Sequence, residues 1–485
     1  MSGTQAQTRF WNMQYDARNR MTSYTDPFGH NVGYGFDAAD NVTTLTDAAG
    51  RATIYGYDPM NRVSTVTTGT EQIIYGWNPN SLLGSVTYTN GMTRSYSYNN
   101  GNQLQSVKNT FVAADPSHGI TEHSQEFDYG YDGNSNRLSE TRQVDTKPAR
   151  NITYSYDELD RLQTATYANG DGTPAANYTY GYDAVGNRST VSGKDFNGAS
   201  VSLGFTYDNL NRLATETGDP AGPITFGYDN NGNLNTKAQG SQTTTYNYDV
   251  RDQLRTVKGS GGSQVAAFDY DFERRRLAKT TASTSLTYAY DGDQVVDEFS
   301  NTGALVNRYD WGADLARGEI GGEGERFYFT DGLGSVTALS GLPGASAAAS
   351  QSKASQLAST VSPERLSGQQ GGPGPAPAPD ATTTGSATDA AKPGPAPTSA
   401  ESTAAVSPTA LGPADKYEYD AWGTVISAPT SLNTFGYTGQ KLDSETGLMA
   451  LGNGERYYSP GLGRFQQEDS FGGSLEIPRT LNSHA

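Results

Sequence analysis

Ile54-Tyr55-Gly56-Tyr57-Asp58-Pro59-Met60-Asn61-Arg62-Val63 is the clearest copy of a unit that runs from one end of the chain to the other. Two aromatic residues two apart precede an Asp, a polar turn, an Arg and an aliphatic. The unit returns as Tyr154-Ser155-Tyr156-Asp157-Glu158-Leu159-Asp160-Arg161-Leu162 and as Phe205-Thr206-Tyr207-Asp208-Asn209-Leu210-Asn211-Arg212-Leu213, with weaker copies between. Its closing Asp falls at 16, 37, 58, 132, 157, 183, 208, 229, 249, 271 and 291, and Asn78 and Asn99 fill the gap between 58 and 132. The steps are mostly 20 to 22 residues, sometimes 25 or 26. About 20 residues accommodate two strands of roughly six residues and two short connections, so each unit predicts one β-hairpin's worth of chain.

Residues two apart on a strand share a face, which places both aromatics of a pair such as Tyr55/Tyr57, Tyr75/Trp77 or Tyr180/Tyr182 together. The residue between them is small or polar (Gly56, Gly76, Ser97, Gly130, Gly181, Gly227, Ala289), leaving the other face lean. An aromatic ladder across neighbouring strands is expected, each cross-strand pair contributing about 0.2 to 1 kcal/mol. Asp at the strand end can accept from the backbone two residues on, and Arg four residues later can pair with the same carboxylate. Asn41 and Gln253 stand in the Arg place. Because a catalytic site is needed once and a strand-ending turn in every hairpin, the recurring Asp and Arg read as turn structure.

The 485 residues include 57 Gly and 31 Tyr, 34% are hydrophobic and only 18% are charged, a composition that favours strands and tight turns over helix. A net charge of -18 opposes binding to nucleic acid or to an anionic membrane surface. With no cysteine, neither disulfides nor thiolate metal sites are available. No run approaches the roughly 18 apolar residues of a membrane span, and the start of the chain lacks the pattern of a secretory signal. From Gly341 to Ala414 the composition changes to Ala, Pro, Ser, Thr and Gly, which cannot bury enough apolar surface to order itself. That tract is expected to be a disordered insertion within one domain, or else a mucin-like or partner-recruiting stalk.

The most specific stretch is the end of the chain: Gly436-Tyr437-Thr438-Gly439-Gln440-Lys441-Leu442-Asp443-Ser444-Glu445-Thr446-Gly447-Leu448, then Arg456-Tyr457-Tyr458-Ser459-Pro460-Gly461-Leu462-Gly463-Arg464-Phe465-Gln466-Gln467-Glu468-Asp469. With these residues the chain resembles the RHS or YD-repeat family, together with the C component of insecticidal toxin complexes and the teneurin shell. The resemblance implies an all-β fold, an antiparallel YD-repeat strip spiralling into a hollow shell or part of one, with a C-terminal core as plug. It divides the chain into a repeat shell (1–340), the insertion (341–414) and an RHS-associated core (415–485). It further implies a structural shell that encapsulates a C-terminal or separately encoded toxin for delivery, secreted or at the cell surface of bacteria, with a secretion or toxin-complex partner. A surface adhesion protein that binds glycans through aromatic rings is the alternative.

In cleaving members of the family the core resembles an aspartyl autoprotease, and that resemblance carries a catalytic role onto Arg456 and Asp469. An aspartyl protease needs two carboxylates that share a proton. Here Tyr457 stands where those proteins have Asp, Ser459 replaces the usual Asp before Pro460, and Ser470 replaces the Pro after Asp469. Arg456 and Asp469 are therefore read either as catalytic or as a structural pair in the plug. The sequence ends 16 residues after Asp469, before the family's cleavage region, so self-cleavage is expected only in a form extended past Ala485. No cofactor is expected. The four histidines, His30, His118, His123 and His484, form no metal-binding pattern, and neither a phosphate-binding loop nor a nucleophile elbow is present.

Overall fold

A computed structural model of the chain describes residues 10–112, 123–341, 415–427 and 433–467. The tract 342–414 and Asp469 lie outside the described residues. The fold is all-β: 31 strands, from β1 (Asn12–Tyr15) to β31 (Asp415–Lys416), form a single antiparallel sheet. Each strand pairs with the next in sequence, as β5 (Ala52–Tyr57) does with β6 (Val63–Thr68). The sheet is an open meander, in which β1 has β2 (Met21–Thr25) as neighbour and β31 has β30 (Val336–Gly341). That last pairing sets Leu339 opposite Asp415, so the two flanks of the 342–414 tract are adjacent. Helical structure among the described residues is limited to three-residue 3-10 turns, as at Ser260–Gly262, and no helix there could cross a membrane.

The turn chemistry explains the unit. Asp58 Oδ1 accepts from the backbone N–H of Met60 (2.8 Å) and Arg62 (3.0 Å), while Arg62 Nε donates to Oδ2 at 2.7 Å. Asn61 takes φ 57°, a left-handed value, and Asp160 and Asn211 do the same in their copies. Side chains that bond their own backbone tolerate that conformation best. The Arg also reaches the following unit: the guanidiniums of Arg62, Arg161 and Arg212 lie over the rings of Trp77, Tyr182 and Tyr228 at 5.3, 4.5 and 4.9 Å. Asn41 keeps the pairing with its Asp, Nδ2 to Asp37 Oδ2 at 2.9 Å. Gln253 differs, donating its side-chain amide to Arg274 O in the next turn.

In many of the units the second aromatic looks back one unit. Tyr57 donates to Val42 O, Tyr98 to Leu83 O, Tyr182 to Leu162 O, Tyr207 to Arg188 O and Tyr270 to Leu254 O, all within 2.7 to 2.9 Å. Trp77 makes the same bond to Val63 O through Nε1. These bonds lie across the join between hairpins, so they stitch one unit to the next. Tyr182→Phe is expected to cost about 1 kcal/mol, the net worth of one such bond, read as a small fall in the urea midpoint with unchanged slope.

The lean face has its own reason. A Cβ on Gly56, Gly181 or Gly227 would collide with the hydroxyl of Thr65, Thr190 or Thr236. Where the middle residue has a hydroxyl, it bonds the facing one instead, as in Ser97 with Ser106 and Ser155 with Thr164.

Asp291 departs from the expected turn. The strand β25 (Ser285–Asp291) runs through it, and Gly292-Asp293 closes a two-residue hairpin to β26 (Gln294–Ser300). Gly292, at φ 53°, supplies the left-handed conformation that such a turn requires, and the half-buried Asp291 carboxyl faces the hydroxyl of Tyr34 instead.

The strip curls back on itself. Val66, Ile73, Tyr75, Val86 and Tyr88 pack against Ala316, Phe327 and Phe329 in one cluster. Tyr88 donates to Tyr328 O at 3.2 Å, and Arg94 meets Asp314 at 2.7 Å. The strip from about Tyr180 to Phe268 is covered by the C-terminal segment. Leu448, Ala450 and Tyr457 join Tyr246, Leu254 and Phe268, and Trp422 and Leu462 pack with Tyr180 and Phe205.

Candidate functional site: the junction between strip and C-terminal segment

The C-terminal segment builds a small antiparallel sheet from Lys441–Asp443, Leu448–Leu451, Arg456–Ser459 and Arg464–Phe465. Alternation along the first of these strands sets Lys441 and Asp443 on one face and Leu442 on the other, and both charged residues are buried. Asp443 receives Arg276 Nη1 at 2.5 Å and Lys279 Nζ at 2.9 Å, and Lys279 also reaches Glu445 at 2.7 Å. Burial alone would raise the Asp443 pKa, but Arg276 and Lys279 outweigh it and hold the carboxyl below its usual range. The anion is thus stable because two wall cations enclose it.

Three more contacts bind segment to wall. Glu418 takes Arg150 at 2.8 Å through Nε and at 3.1 Å through Nη2, with Arg142 at 3.3 Å. Arg464 donates to Asn211 O at 3.3 Å and lies over Tyr207. Lys441 Nζ meets Glu298. Beside them a cavity of about 370 Å³ is lined in part by Tyr288, Trp311, Phe435, Gln440 and Lys441.

Of the two residues read as catalytic or structural, Arg456 is described and Asp469 is not. The Arg456 guanidinium lies 3.7 Å from the centre of the Phe465 ring and donates to Gln467 O at 3.4 Å. Tyr457 is fully buried, its hydroxyl 2.9 Å from that of Tyr270, its ring against Phe268 and its backbone N–H on Gln467 Oε1. Sequence reasoning missed Arg276, Lys279, Asp443, Lys441 and Glu298. The run Arg274-Arg275-Arg276 was the available signal: the turn uses Arg275 to pair with Asp271, which leaves Arg276 as an extra cation at the first position of the strand Arg276–Thr281.

A second charged seam closes the curl. Arg308 lies between Asp47 (3.0 Å) and Asp297 (3.4 Å), and Arg51 bonds Asp310 at 2.7 Å. Burial, with Asp47 nearby, pushes the Asp297 pKa up to about 6 against the partial relief given by Arg308, Ala49 N–H and Arg51. A carboxyl raised above its unfolded value binds its proton more tightly in the folded state, so stability rises as pH falls from about 7 towards 4. The gain is expected to approach about 2 to 3 kcal/mol over that window. Urea midpoints at pH 7.5 and pH 5 should show about half of it, ~1.4 kcal/mol, in the native chain, and Asp297→Asn should flatten it.

Residues 36–72 match the RHS Repeat family and residues 117–293 match the Teneurin YD-shell family. A search of the curated proteins finds no match. Among solved structures, a chain in the crystal structure of TcdB2-TccC3-Cdc42 is similar, with 13% identity over 98% of this chain and 29% of that one and a TM-score of 0.37. A chain of the Photorhabdus luminescens Tc holotoxin pore gives 13% identity, the same coverages and a TM-score of 0.29. A porin-like protein from Bacteroides uniformis gives 10% identity over 47% of this chain and 93% of that one, with a TM-score of 0.21. The chain spans about 29% of the length of the first two.

Proposed function

We propose, from the premise that this is an RHS/YD-repeat protein, that it forms wall and plug of a shell that holds a toxin cargo for delivery. The observation that carries the reading is the junction: the C-terminal segment is laid along the strip and fixed there by the buried pairing of Asp443 with Arg276 and Lys279 and the half-buried pairing of Glu418 with Arg150. Such pairs specify one docked position, because a shifted segment would leave each charge buried without its partner. The wall itself is suited to enclosure rather than recognition. Rings such as Tyr180, Tyr182 and Tyr270, of the kind an adhesion protein would present to a glycan, are used by the sheet for stitching and packing. For Arg456 we propose a structural role in the plug, stacked on Phe465 in the neighbouring strand of the small sheet.

The test is a fusion in which a small protease-sensitive domain follows Ala485. Protection of that domain from a protease that digests it when free is expected. Digestion at the free rate would overturn the encapsulation reading while leaving the fold untouched.

A further inference from the structure

Lys441 and Glu298 belong to different layers of the molecule, one on the plug and one on the wall, and their side chains are nearly excluded from solvent, at 9% and 1% exposure. Lys441 Nζ lies directly against Glu298 Oε1. Around the amine stand the rings of Tyr288, Tyr309 and Phe435, at 5.0, 5.2 and 5.0 Å. On the other side of the carboxyl, Asn307 Nδ2 donates to Oε2 at 2.8 Å and the Tyr309 hydroxyl donates to Oε1 at 3.2 Å. An amine, a carboxyl, two hydrogen-bond donors on that carboxyl and an apolar enclosure are thus assembled from residues 143 positions apart.

We propose that Lys441 and Glu298 condense to an isopeptide bond that locks the plug covalently to the wall. The reacting pair is the free amine and the carboxylic acid. Nζ attacks Glu298 Cδ, and the new N–C bond forms as the Cδ–Oε1 bond breaks. Oε1 departs as water, taking the carboxyl proton and one proton from Nζ, and Oε2 remains as the amide oxygen. No oxidant, reductant or further reactant is needed. Asn307 Nδ2 faces Oε2, where negative charge develops during attack, and preorganised donors at that place lower the barrier. Tyr309 faces the departing oxygen. Burial, with Arg276 and Lys279 adding to it and Asp443 opposing, holds the Lys441 amine well below its usual range, which favours the uncharged, nucleophilic form. The product is stable in the same site, because an amide removes an amine and an acid from an apolar enclosure where either charge would be costly.

This inference stands apart from the encapsulation reading, since it concerns the junction whatever the shell contains. The test is the intact mass of the purified full chain. A mass lower than the sequence mass by one water molecule is expected, together with a branched tryptic product joining Thr280–Arg308 to Tyr417–Arg456 with no cleavage after Lys441. Lys441→Met should restore the full sequence mass, and Asn307→Ala, which keeps both reacting groups, should give a mixture of linked and unlinked chains. A native chain that folds, carries its full sequence mass and is cut after Lys441 would overturn the proposal and leave the contact a buried ion pair.

Discussion

Asp443→Ala is expected to lower the unfolding free energy by about 3 to 5 kcal/mol, the cost typical of removing one partner from a buried ion pair. The size follows from what remains behind. Arg276 is almost fully buried, and without Asp443 its remaining neighbours are the Tyr457 hydroxyl at 3.5 Å and the rings of Phe268 and Tyr288. Its guanidinium cannot shed its charge, since arginine stays protonated at any ordinary pH. Lys279 fares better, because Glu445 stays within 2.7 Å. Glu445→Ala is accordingly the control: its side chain is 22% exposed, and a loss of under about 1 kcal/mol is expected. Urea unfolding of the three chains at pH 7 makes the comparison. Equal losses in both variants would show that the cluster does not depend on Asp443.

Tyr457→Ala is expected to cost about 3 to 5 kcal/mol and Tyr457→Phe about 1 kcal/mol. Tyr457 is fully buried and packs with Phe268, Leu448 and Ala450, so truncation leaves a ring-sized cavity between plug and wall. The Phe variant keeps the ring and loses the bond with the Tyr270 hydroxyl and the long contact from Arg276 Nη1 at 3.5 Å, while the Tyr270 hydroxyl retains Leu254 O. The ratio of the two effects, read from urea unfolding, separates packing from hydroxyl chemistry at the position where cleaving relatives are expected to have Asp. If the Phe variant lost as much as the Ala variant, the hydroxyl network would be the main contribution.

Much of the fold was legible because it is local. A hairpin of about 20 residues has its aromatics, its Asp and its Arg within reach of one another, so Asp58 to Arg62 could be read as a turn before any partner strand was known. The hydroxyl pairs on the lean face were not read, though Gly56 and Thr65 lie close in sequence, because the register that brings them together depends on the bulge at Tyr57. At Asp291 the repeat letters were present but the turn was not, since Gly292 offered a tighter hairpin. The junction was hidden for a different reason. Arg276 and Asp443 are 167 residues apart, and nothing in either neighbourhood names the other.

The strand period, the alternation of faces and the chemistry of each turn follow from the order of residues alone, because bonds within one unit and its neighbour set them. Which units meet across the curl, where the C-terminal segment lies, and how Asp443, Lys441 and Glu418 find partners on the wall emerge only in the folded chain. The physical reason is that each strand turns only slightly relative to the last, and the direction of the strip is the sum of those small twists over 31 strands. A repeat fixes the increment, and the increments must be added up in space before distant charges can pair.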